Sequence, residues 1–110
     1  MSKGGIMEVV LVDLFIVPDA VLEEFVAAVH KPTSFLRSLP GFVEGWIYTR
    51  EESSGRHNVV TTAIWENEAA YRAARQAAQD EYALIGWNPQ EIIKRLGIEI
   101  ERGEFKRAAY

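Results

Sequence analysis

The 110-residue chain carries 12 Lys and Arg against 16 Asp and Glu, a net charge of −4, with 48% hydrophobic and 25% charged residues. That balance suits one folded domain and excludes disorder, and with no basic cluster longer than Lys106-Arg107 it excludes a phosphate-tracking nucleic-acid surface. The absence of cysteine excludes disulfides, thiolate nucleophiles and cysteine-ligated metals, and fits a cytoplasmic setting.

The first five residues, MSKGG, read as a flexible tail before a single domain over residues 6–110. Residues 6–17 are rich in β-branched side chains and predict a strand. Asp13 interrupts this run, which is too short to span a membrane and lacks the flank of a signal peptide. Alternation sets Val9, Leu11, Asp13, Phe15 and Val17 on one face and Val10, Val12, Leu14 and Ile16 on the other. Both faces are apolar, so both need cover. Asp19 is placed to cap a helix over residues 20–39, which Pro32 is expected to kink or interrupt near His30. An LPGF turn leads into a second strand over 42–51, a polar loop over 52–56 and a third strand over 57–66, a hairpin pattern. The third strand puts Val59, Thr61, Ala63 and Trp65 on one face. Asn67 caps a helix over 68–85, with Tyr71, Ala74, Ala78 and Tyr82 along one side. Asn88, Pro89, Glu91 and Gly97 supply the cap, first-turn proline, capping-box acid and terminator of a short helix. A last strand covers 98–108, with Gly103 expected at a bulge or bend.

The order β-α-β-β-α-α-β predicts an α+β fold, the ferredoxin-like split β-α-β with a four-stranded antiparallel sheet. Its helices cover only one face of that sheet. The first strand is apolar on both, so a homodimer is expected to cover the other.

Residues 34–50, SFLRSLPGFVEGWIYTR, and 59–74, VVTTAIWENEAAYRAA, resemble the antibiotic biosynthesis monooxygenase (ABM) domain family of the dimeric α/β-barrel superfamily. In that family a helix ends at a PGF turn, and the second strand of the following hairpin finishes in Trp-Glu before a helix. The resemblance runs over nearly the whole chain apart from residues 87–96. It implies a dimeric α/β barrel. In some polyketide-modifying members it also implies oxidation of phenolic rings by molecular oxygen, with neither metal nor flavin. Those members use an asparagine on the first strand, an asparagine four residues before the tryptophan, and the tryptophan itself. The matching positions here are Asp13, Thr61 and Trp65, so only the tryptophan is kept. Haem-degrading members use a second tryptophan and a histidine in the helix after the third strand. This chain has alanines at Ala73 and Ala74 and no histidine after His57, so haem degradation is not expected.

Three residues are thus candidates for catalysis. Asp13 lies mid-strand on an apolar face, where a carboxylate is costly unless paired or protonated, and where desolvation can make a general base for a phenol or enol. The alternative is a structural pairing with Arg, Thr or Tyr from a neighbouring element. Trp65 either packs under the next helix or forms a pocket wall that orients a ring. Thr61 would donate a hydrogen bond. Tyr71, His30 and Phe15 are candidates for substrate contact. His30 and His57 make no metal motif, and no cofactor is expected. Two functions fit. One is a cofactor-independent monooxygenase acting on a small aromatic or polyketide-like molecule between sheet and helices. The other is a non-catalytic dimeric module that binds a small molecule or partner. An aromatic-lined cavity beside Asp13 favours the first, and a core filled by side chains the second.

Overall fold

In the computed structural model, which describes residues 7–51 and 55–108, β1 (Val9–Ile16) is the third strand of a four-stranded sheet ordered β2-β3-β1-β4. The other strands are β2 (Phe42–Thr49), β3 (Val59–Trp65) and β4 (Glu99–Phe105), and all three pairings are antiparallel. A 3-10 turn (Asp19–Val21) and α1 (Leu22–Arg37) follow β1, and α2 (Glu68–Ile85) and α3 (Pro89–Leu96) join β3 to β4. This is the ferredoxin-like α+β arrangement read from the sequence. The N-terminal tail, the start of the first strand at Ile6 and residues 52–54 of the hairpin loop lie outside the described residues. No helix among the described residues is long and apolar enough to cross a membrane.

All three helices pack on the face of β1 that carries Val9, Asp13 and Phe15. Two separate apolar clusters form there. Phe15, Val17, Phe25, Val59, Leu96 and Ile98 make one, joining β1 to α1 and α3. Val9, Ala63, Trp65, Tyr71 and Ala74 make the other, beneath α2. Asp13 sits between them, so the core is divided at the one charged position of the strand. The opposite face bears Val10, Val12, Leu14 and Ile16, with no helix over them among the described residues. Tyr48 and Phe105 stand on that side about half exposed, at 53% and 54%, and Trp46, at 53%, shares their parity on the edge strand β2, where it also meets Arg37 and borders the helix side. The thinnest dimension of the molecule is 17 Å, one sheet and one layer of helix.

Local signals place most of the boundaries. Asn67 Oδ1 accepts from the Ala70 amide at 2.8 Å, and Asn88 Oδ1 accepts from those of Gln90 and Glu91 at 3.0 and 3.4 Å. Gly86 and Gly97 end α2 and α3 in the left-handed conformation. Asn58 fastens β3 to the end of β1: its side chain accepts from Val17 N at 2.8 Å and donates to Val17 O at 2.9 Å, satisfying a buried peptide unit where the ladder stops.

Three local expectations are corrected. First, α1 runs unbroken through Pro32. One lost donor does not interrupt it, because Phe25 and Leu36 pack on the sheet on either side of the proline. Second, Asp19 lies inside the 3-10 turn, whose cap position is Pro18, and Val21 precedes α1. Third, Gly103 pairs in register with Val12, and the bulge lies instead in β2 between Phe42 and Glu44. Gly103 makes room for an aromatic ring: a Cβ there would meet Phe105 Cε1 at 2.5 Å.

Candidate active site

Between the two apolar clusters lies a cavity of about 190 Å³. Ala28, Pro32 and Leu36 of α1 roof it, Trp87 and Ile92 close it near α3, and Asp13, Thr61 and Ala63 lie on its sheet side. It exists because the residues in the middle of this face are small or polar, whereas those at either end are large and apolar.

Asp13 stands between Thr61 of β3 and Arg102 of β4 in the strand registers. Arg102 donates from Nε to Asp13 Oδ1 at 2.7 Å and from Nη2 to Oδ2 at 2.9 Å, a two-pronged ion pair. The Asp13 side chain is 10% exposed and that of Arg102 58%, so the carboxylate is inside and the guanidinium spans the way out. The hydrogen bonds from Arg102 to Asp13 push the guanidinium's pKa above its ordinary value, against the opposing effect of burial, so Arg102 remains a cation. Tyr82 lines the same end, its ring edge-on to Trp87 with centroids 4.8 Å apart. Burial raises the Tyr82 phenol above its ordinary pKa, against the opposing charge of Arg102, and keeps it protonated at neutral pH.

Phe42 and Trp46 bound the cavity towards the β2 edge. Arg37 donates to the Gly45 carbonyl and holds its guanidinium 5.6 Å from the centroids of both rings. Gly45 is buried beneath Phe42, where a Cβ would meet Thr62 O at 2.6 Å and Phe42 Cζ at 3.1 Å. Among the described residues no group of three or more His, Asp or Glu side chains is arranged to hold a metal ion.

Of the candidate residues, Asp13, Thr61 and Phe15 line the cavity. Trp65 does not: at 2% exposure it packs among Val9, Ala63, Tyr71 and Ala74. It backs the cavity from behind residues that line it, Ala63 and Phe42 among them, and the Phe42 ring lies edge-on to it at 5.3 Å. Tyr71 is also away from the cavity, donating its hydroxyl to Glu104 Oε2 at 2.7 Å. Burial first, and then that carboxylate, raise its pKa. His30 lies exposed on α1, outside the lining. Arg102, Tyr82 and Trp87 complete the site; the sequence offered Tyr82 and Trp87 only within a general aromatic inventory, for packing or for a pocket wall, and gave Arg102 no role. The available signal was parity: Arg102 follows Ile98 and Ile100 at two-residue spacing, so it shares their face and can reach Asp13.

No family model and no curated protein matches the chain. Solved structures of the same architecture do. A protein from Shewanella loihica PV-4, provisionally named a monooxygenase, superposes with a TM-score of 0.71 at 19% identity, covering 94% of this chain and 97% of its own. A mutant of SnoaB, a cofactor-independent oxygenase from Streptomyces nogalater, gives 0.69 at 26% identity, covering 94% and 95%. A dimeric ferredoxin-like protein from an uncultured marine organism gives 0.67 at 13% identity, covering 94% and 96%. A haem-degrading protein from Mycobacterium tuberculosis gives 0.55 at 20% identity, covering 63% and 78%, and a MhuD mutant with manganese protoporphyrin IX bound gives 0.68 at 17% identity, covering 93% and 96%. The chain has the ABM-like, ferredoxin-like α/β fold that these oxygenases display.

Proposed function

We propose that the protein is a cofactor-independent monooxygenase whose substrate is a small aromatic or polyketide-like molecule bearing a phenolic or enolic hydroxyl. The observation that carries this reading is the aromatic-walled cavity beside Asp13, in a fold shared with SnoaB. At about 190 Å³ it lies below the roughly 300–1,000 Å³ of drug-sized pockets and suits a compact planar ring system. Asp13 is the proton acceptor, Thr61 a hydrogen-bond donor beside it, and Phe15, Phe42 and Tyr82 bound the ring plane. Removing the hydroxyl proton makes the ring electron-rich, and it can then give an electron to molecular oxygen. One oxygen atom ends in the new quinone carbonyl. The other leaves as water, with the two hydrogens lost from the hydroxyl and the oxidised ring carbon. The protein supplies a base, an orientation and an apolar cavity.

The test is oxygen uptake with a panel of naphthols and anthrones, monitored together with quinone absorbance. Catalysed uptake with a one-to-one yield of quinone is expected, and it should survive dialysis against a chelator. The second reading, a binding module, is favoured by two observations: Asp13 is already engaged by Arg102, and Trp65 is committed to packing. It predicts saturable binding of the same compounds with no uptake.

We infer further that the functional unit is a homodimer joined through the helix-free sheet face. Its half-exposed Tyr48 and Phe105 support this, as does the dimeric relative. Sedimentation at micromolar concentration is expected to give the mass of two chains, and a single-chain mass would refute the inference.

A further inference from the structure

We propose that Arg102 is a phenolate anchor: the site binds an acidic phenol as its anion, the proton passing to Asp13 while the guanidinium exchanges the carboxylate for the phenolate oxygen. This rests on the cavity being the substrate site, and is independent of any later step with oxygen.

The geometry carries it in three parts. A guanidinium has five N–H donors, and Asp13 occupies Nε–H and one on Nη2, leaving three beside the cavity that Arg102 lines. The exposures then set the order of access: the Arg102 side chain, at 58%, stands outside the Asp13 carboxylate, at 10%, so an entering hydroxyl meets both. Finally, the charges balance. Before transfer the site holds Arg102 as cation and Asp13 as anion. Afterwards the phenol O–H bond is broken, an O–H bond is formed on Asp13, and the negative charge sits on the phenolate one contact away. No net charge is created in the cavity and no electron moves, so the desolvation that opposes burying an anion is offset by a counter-ion already in place.

The surrounding groups leave that role to Arg102. Tyr82 of α2 is held protonated by burial and is available as a donor. Glu104 of β4 accepts from Tyr71 of α2 at 2.7 Å and pairs with Arg75 of α2 at 3.8 Å, so it is engaged away from the guanidinium.

The test uses 4-nitrophenol, whose anion absorbs visible light, at about one pH unit below its own pKa, where free probe is about 10% ionised. With the wild-type protein, the bound probe is expected to show the phenolate band, and its methyl ether, 4-nitroanisole, to bind about tenfold more weakly. Arg102→Gln is expected to lose the band and about tenfold in affinity. Asp13→Asn is expected to keep the band for this acidic probe, because near the probe's own pKa the proton goes to buffer and Arg102 remains to anchor the anion. A neutral bound probe, no saturable binding, or an unchanged band in Arg102→Gln would overturn the proposal. Should Arg102→Gln fail to melt cooperatively, the phenol-to-ether comparison in wild type decides alone, and equal affinities refute it. A phenolate band without oxygen uptake would sink the oxygenase reading and leave this one standing.

Discussion

Replacing Asp13 with asparagine is expected to lower turnover of a responsive naphthol or anthrone by about 10²–10⁴-fold at neutral pH, the range in which a positioned general base contributes. The substitution keeps the size of the side chain and leaves an amide oxygen that can still accept from Arg102, so the fold should survive, as a melting curve will show. Among the described residues it removes the only carboxylate lining the cavity. The pH profile is the more telling measurement. The deficit should shrink as the pH approaches the substrate's own pKa, because solvent then supplies the phenolate that Asp13 no longer makes. A uniform deficit across pH would assign Asp13 a structural role, and full activity would remove it from the mechanism.

The second large effect is on stability. Trp65→Ala is expected to destabilise the protein by about 3–5 kcal/mol, the usual cost of truncating a buried aromatic side chain to alanine. Chemical denaturation would measure it. Trp65 is 2% exposed and joins Val9 of β1 to Tyr71 and Ala74 of α2, so its removal leaves a void where α2 meets the sheet. Trp65→Phe keeps an aromatic ring against Phe42 and should lose less. Its effect on turnover would come through the Phe42 ring that it supports, since Trp65 itself does not reach the cavity. A variant folded as stably as wild type yet inactive would contradict this packing role.

Much of the fold was legible because each of its elements satisfies a local rule. The alternation in Val9–Ile16 and Val59–Trp65, the Asn67 and Asn88 caps and the glycines after α2 and α3 all say the same thing at every scale. Pro32 was misread because a local rule was outweighed by tertiary packing on both sides of it. Gly103 was misread because what it accommodates is Phe105 two residues on, rather than a change of strand direction. The site was half legible. Asp13 and Thr61 stand out by being polar on apolar strand faces. Arg102 stands out less, because β4 carries charges at both parities, with Glu99 and Glu101 on one face and Arg102 and Glu104 on the other, and only the parity shared with Ile98 and Ile100 marks its side as the inner one. Trp65 illustrates a different limit. Sequence places a residue on a face, but whether it borders a void depends on how large its neighbours are.

The pairing of Asp13 with Arg102 also has a consequence for how the outermost strand finds its place. Were β4 to slide by two residues, the side chain set against Asp13 would become Ile100 or Glu104, both on the same side of the sheet as Arg102. The first would strand a buried carboxylate and the second would confront it with another negative charge, and both outcomes are unfavourable. A single-residue slide would turn Arg102 away altogether. The same two side chains assigned here to holding a substrate therefore also penalise misthreading of an edge that has a neighbour on one flank only, and selection on chemistry and selection on assembly act on one contact.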